Sequence, residues 1–163
     1  MIGAIIGDIV GSRFEWNNYR KKDFILFTED CFATDDSIMS LAIAGAVLQH
    51  QTEAVDLSKA AVCWMQKVGR PYPHCGFGGN FYHWIYSDDP KPYNSFGNGA
   101  AMRVSACGLS AKTLEAALQM STAVTAVTHN HPEGIKGANA TTAAIFLAKS
   151  GASKDAIRSH IVE

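Results

Sequence analysis

Thr34-Asp35-Asp36-Ser37 places two adjacent carboxylates between hydroxyls at the mouth of an apolar helical run. Oxygens of this kind suit a hard divalent cation such as Mg2+, which takes an oxygen octahedron and keeps several of its waters. Glu15 closes an upstream helical pattern, Gly7-Asp8-x-x-Gly11-x-x-x-Glu15, and is a third carboxylate able to approach the same point. The triplet also reads as ordinary capping, with Thr34 as N-cap and both acids at the positive end of the helix dipole. Spacing alone leaves both readings open.

A second segment, Ser95-Phe96-Gly97-Asn98-Gly99-Ala100-Ala101-Met102-Arg103, combines glycines with a following helix start. Such a segment lets backbone amides approach a phosphate, and Phe96 can stack on a base. A plain glycine turn is the competing reading. The segment has neither Gly-x-Gly-x-x-Gly nor a P-loop lysine, so neither common nucleotide fingerprint applies. A third segment is Thr128-His129-Asn130-His131-Pro132. His129 can bond a ribose or phosphate oxygen, or either histidine can simply cap the next helix. No partner at finger spacing supports zinc, and a His-Asn-His nuclease would need wider spacing and a basic surface.

Helical periodicity must position these residues. Ile2, Ile5, Ile6, Ile9 and Val10 predict a first helix ending near Glu15. Gly3, Gly7 and Gly11 form a second line on it, each costing about 1 kcal/mol against alanine; a closely approaching helix or ligand would offset that. Residues 17–33 read as a loop. A helix follows from Asp35 to Gln49 with Ile38, Leu41, Ala42, Ala46 and Val47 inward. Another starts at Asp56 and ends at Gly69. Residues 70–100 lose periodicity, apart from a turn of helix near Phe81–Tyr86, yet are rich in aromatics, which favours an ordered binding loop. Ala100–Leu109 is an apolar run. Further helices cover Leu114–Val124, Pro132–Gly151 and, capped by Ser153, the stretch to Glu163. No alternating strand set occurs, so the fold class is all-α, with residues 1–163 as one domain.

The 163 residues carry a formal net charge of −1, which gives no electrostatic case for nucleic acid or an anionic membrane. Four cysteines without a Cys-x-x-Cys pair read as free thiols in a reducing, cytoplasmic setting. Asp8 interrupts the N-terminal apolar run, and no stretch reaches the roughly 20 apolar residues of a membrane span.

Gly7-Asp8-Ile9-Val10-Gly11…Glu15, Thr34-Asp35-Asp36-Ser37, Phe96 to Arg103 and Thr128-His129, in this order, resemble the ADP-ribosylglycohydrolase family, from Met1 to about Gly151. The resemblance implies a compact all-helical bundle with a two-magnesium centre (manganese in some members). It implies Thr34, Asp35 and Asp36 as metal ligands and Glu15 and Asp36 as catalytic. Ser95, Phe96, Gly97, Asn98, Gly99, Met102 and His129 are implied as substrate contacts, with Asp8 and Arg103 as supports. The implied reaction cleaves the glycosidic bond joining ADP-ribose to a protein side chain or a small molecule.

Family members carry a late Asp-x-Asp-Thr motif supplying the remaining ligands, and none follows Asp89 in this chain. The expectation is therefore an N-terminal portion of the family domain that cannot complete two metal sites within one copy. A catalytically inactive ADP-ribose-binding or structural relative is the alternative. Reading Asp35-Asp36-x-x-Met39 as an isoprenoid-synthase diphosphate pair would need a second aspartate-rich helix, which is lacking.

Overall fold

The computed structural model describes residues 1–162. Among them there are eight α-helices, two short 3-10 turns and no strand, so the fold is all-α. The helices are α1 (Ile2–Gly11), α2 (Asp35–Glu53), α3 (Leu57–Gly69), α4 (Gly79–Tyr86), α5 (Ser105–Ser110), α6 (Leu114–Ala126), α7 (Pro132–Lys149) and α8 (Lys154–Val162). The expected boundary at Glu163 lies outside the described residues. No described helix is long and apolar enough to cross a membrane.

The core forms where α2 packs on α3, α6 on α7, and α5 on both α2 and α7. Met39, Ile43, Ala46, Ala61, Met65, Ile85, Val104 and Val124 are almost wholly buried there. Ile38, Ala42, Ala46 and Val47 of α2 point inward as expected, whereas Leu41 is half-exposed. That helix also runs one turn past Gln49, to Glu53, and stops where Ala54 turns left-handed at φ 54°. α3 ends at Gly69 as expected, though without a left-handed turn there, and the Ile85 side chain leaves no room for a Cβ on it.

Local chemistry sets the helix starts. Thr34, Asp56 and Thr113 accept backbone N–H groups at the openings of α2, α3 and α6. At α7 the cap is the His131 ring, whose Nδ1 accepts the Glu133 N–H at 3.1 Å ahead of Pro132 in the first turn.

The first helix departs most from expectation. Among the described residues nothing lies within 4 Å of a Cβ built on Gly3, Gly7 or Gly11, so no described element approaches that line. Ile2 and Ile6 remain exposed, at 76% and 44%. What fastens α1 is Asp8. Its carboxylate accepts the Thr34 N–H at 2.9 Å, the Ser37 N–H at 3.2 Å, and both hydroxyls at 2.5 Å. After α1 a 3-10 turn over Ser12–Phe14 delivers Glu15. Residues 17–33 form the expected loop, anchored by Arg13, which donates to Thr28 Oγ1 and the Ile25 carbonyl and lies over the Phe14 ring. Ser12 Oγ accepts the Phe32 N–H at 3.1 Å.

Replacing Asp8 with alanine leaves two N–H groups and two hydroxyls of the α2 start without their acceptor. Bonds to a charged acceptor contribute about 1.5–3 kcal/mol each and are not additive, so Asp8→Ala is expected to cost about 2–4 kcal/mol. Urea denaturation checks this; a loss below about 0.5 kcal/mol would show that α1 is held by other contacts.

Candidate active site

A cavity of about 370 Å³ opens beside the start of α2. That volume falls within the range of small-molecule sites. Glu15, Asp35 and Asp36 line it. It is also lined by Ser95, Gly97, Asn98, Gly99, Met102, Arg103 and His129. Segments separated by most of the chain therefore converge on one space.

Thr34 and Phe96 do not line it. Thr34 is buried, and its hydroxyl donates to Asp8 Oδ1 while accepting the Asp36 N–H at 3.3 Å. Phe96 is 72% exposed, and its ring sits 5.1 Å from that of His131. Conversely, Gly76, Gly78, Gly79, Asn80, Phe81 and Tyr93 line the cavity without having been singled out. The only sequence signal for them was the glycine and aromatic density of residues 70–100.

Two contacts bring that stretch to the acids. The Asp35 N–H donates to the Cys75 carbonyl at 2.9 Å. The next residue, Gly76, has φ +114°, and a Cβ on it would lie 2.9 Å from Asp35 Oδ1. Only glycine meets both conditions. The other lining segments are fixed just as tightly. The Tyr93 N–H donates to the Thr128 carbonyl, the Asn94 N–H to Asn130 Oδ1, and Ser40 Oγ of α2 to the Met102 carbonyl. A Cβ on Gly134 would stand 2.8 Å from the Ser95 carbonyl, so the N-terminal turn of α7 can pass beneath this loop only with glycine there.

The lining groups fall into two electrostatic kinds. Burial, then the neighbouring Asp36, and then Glu15 and Asp8 push the Asp35 carboxyl up to about 6. Asp36 is raised too, by burial first and then by Asp8 and Glu15. Among the described residues no basic side chain pairs with either. Arg103 is fully buried, has no acidic partner among the described residues, and leaves its Nε without an acceptor. Burial draws its pKa down to about 10. His129 is lowered to about 4 by burial and then by Arg103, so it is neutral at physiological pH.

The carboxylates can accept protons or hold a cation; Arg103 and His129 can meet anionic or polar oxygen. Among the described residues no group of three or more His, Cys, Asp or Glu side chains stands close enough to hold a metal ion. Glu15 lines the same cavity as Asp35 and Asp36 and is close enough to raise both of their carboxyls.

A carboxyl raised to about 6 binds its proton more tightly folded than unfolded. Its contribution to stability is present below pH 3.8 and lost as pH rises through about 6. Asp35→Asn is therefore expected to be more stable than the parent at pH 7.5 in chelator. Allowing for partial solvent screening, the gain is about 1 kcal/mol, or roughly 2–4 °C in Tm. The gain should shrink as pH falls toward 4. Equal thermal melts at pH 7.5 would contradict the strained pair.

Comparison with curated proteins finds no match. The family model described as ADP-ribosylglycohydrolase matches residues 1–163. That match spans all the segments meeting at the cavity, from the helix bearing Asp8 to the His129 turn. With the all-helical fold it shows that the chain belongs to the ADP-ribosylglycohydrolase family.

Proposed function

We propose that this chain is an ADP-ribosyl hydrolase, cleaving the glycosidic bond between ADP-ribose and an acceptor that is a protein side chain or a small molecule. The observation that carries the reading is the convergence of Glu15, Asp35–Asp36, the Ser95–Gly99 loop and His129 on one cavity in a chain of this family. The loop and His129 hold the diphosphate and ribose oxygens. The scissile bond lies toward the acids.

Asp35 and Asp36 suit one Mg2+, or Mn2+ in its place, that keeps most of its waters, because adjacent carboxylates without a basic partner are hard oxygen donors. They do not suit two cations by themselves. Thr34 serves this pair by capping α2. Bound there, the cation supplies Lewis acidity toward the ribose oxygens. Glu15, exposed at the cavity and tethered by a short turn, draws a proton from the attacking water as the bond from the distal ribose to the acceptor breaks and positive charge develops on the sugar, and the departing acceptor takes up that proton. Four cysteines without Cys-x-x-Cys pairing suit a cytoplasmic setting for this activity.

A second reading is an ADP-ribose-binding relative without catalysis. It is favoured by the absence, among the described residues, of a third metal-capable side chain beside the pair. Release of ADP-ribose from ADP-ribosylated protein, with and without Mg2+, separates the two. Hydrolysis that falls about 10²–10⁴-fold in Glu15→Gln supports the enzyme. Tight ADP-ribose binding with no release in any metal supports the binder.

Calorimetry tests the cation directly. Asp35→Asn combined with Asp36→Asn should abolish Mg2+ binding, because both anionic oxygens are lost. Unchanged affinity would place the cation elsewhere.

A further inference from the structure

We propose that Arg103 and Thr128 form a positioning relay that fixes His129 as the Nε2–H tautomer, making it a hydrogen-bond donor to a phosphate or ribose oxygen in the cavity. The ligand class rests on the ADP-ribose reading; the relay itself does not.

Thr128 is wholly buried, and its hydroxyl has three polar neighbours. Arg103 Nη2 lies 2.8 Å away, His129 Nδ1 2.7 Å away, and the Thr125 carbonyl 3.4 Å away. A guanidinium only donates, so Thr128 Oγ1 accepts from Arg103. One hydroxyl proton then remains to be placed. The Thr125 carbonyl already accepts the Thr128 N–H at 3.1 Å and the His129 N–H at 2.9 Å, which occupies both of its lone pairs. It is also at the outer limit of hydrogen-bond distance from the hydroxyl. The proton goes to His129 Nδ1.

Arg103 strengthens this assignment. Its donation polarises the hydroxyl and makes that proton a better donor, as in any hydrogen-bond chain at low dielectric. Nothing acidic competes for the guanidinium among the described residues, and its other Nη2 contact is the Val124 carbonyl at 3.2 Å.

With Nδ1 accepting, a neutral imidazole carries its hydrogen on Nε2. The Cε1–Nε2 edge faces Gly99, where a Cβ would stand 3.4 Å from both atoms, and both residues line the cavity. No described side chain or backbone group takes the Nε2 hydrogen. A cavity wall bearing a fixed N–H donor next to the Gly97–Gly99 loop selects an oxygen acceptor. It disfavours a ligand that presents a donor at that point.

The test uses the intact chain labelled with 15N-histidine, first without ligand. Long-range 1H–15N correlation at pH 7 should show His129 with a protonated Nε2 and a bare Nδ1. Thr128→Val, which keeps the shape and removes the hydroxyl, should shift His129 toward the Nδ1–H form; Thr128→Ser should restore the parent pattern. Calorimetric affinity for ADP-ribose should fall about tenfold in Thr128→Val, the worth of one hydrogen bond, and recover in Thr128→Ser. A protonated Nδ1 in the parent, which needs no variant to fold, overturns the relay. So does a tautomer unchanged in folded Thr128→Val. Nε2–H in the parent with no ADP-ribose binding upholds the relay and overturns the ADP-ribose reading instead.

Discussion

The site depends on one carboxylate that does not line it. Asp8 accepts four hydrogen bonds from Thr34 and Ser37 and so joins the end of α1 to the start of α2. Charge-assisted bonds of this kind are directional and strong. They are also placed where the α2 dipole favours an anion. Asp35 and Asp36 lie between the two clamped residues, so their backbone is held from both sides. Glu15 leaves the same α1 segment one short turn later. A single fastening thus sets the acids of both helices relative to each other, although α1 buries little else than Val10.

Held this way, the acids face a cavity whose charges are unmatched rather than neutralised. Among the described residues the carboxylates have no basic partner, and the Arg103 guanidinium has no acidic one. Both arrangements oppose folding, since buried charge is costly unless matched. Such unmatched groups cluster where a ligand or ion is meant to complete them. A ligand with anionic oxygens, bound together with a cation, would relieve both.

Much of this was legible in the sequence where local chemistry decides the outcome. Thr34, Asp56 and the His131-Pro132 pair announce helix starts because capping is a contact within a few residues. The convergence of Glu15 with Asp35–Asp36 was legible through motif order. What stayed hidden depends on partners far along the chain. Nothing in Gly3, Gly7 and Gly11 says that no neighbour approaches them. Leu41 fits the apolar period of α2 yet falls at the edge of the packed face. Gly69 does end α3 as its type suggests, but that Ile85 of α4 also demands its smallness could not be read locally. Phe96 carries the right chemistry for stacking on a base and is turned toward His131 by the loop around it. Tyr93 and Asn80 have no motif of their own; they reach the cavity because Thr128 and Cys75 bind their segments.

The anchoring of the loop after Glu15 separates two kinds of failure. Glu15 stands between α1 and a segment of irregular backbone fastened largely by Arg13 and Ser12. Regions with few buried contacts open far below the global unfolding energy. Releasing that fastening would swing the carboxylate away while α2 to α7 stay packed. Calorimetric scans would then record an intact molecule after the acidic groups had already come apart.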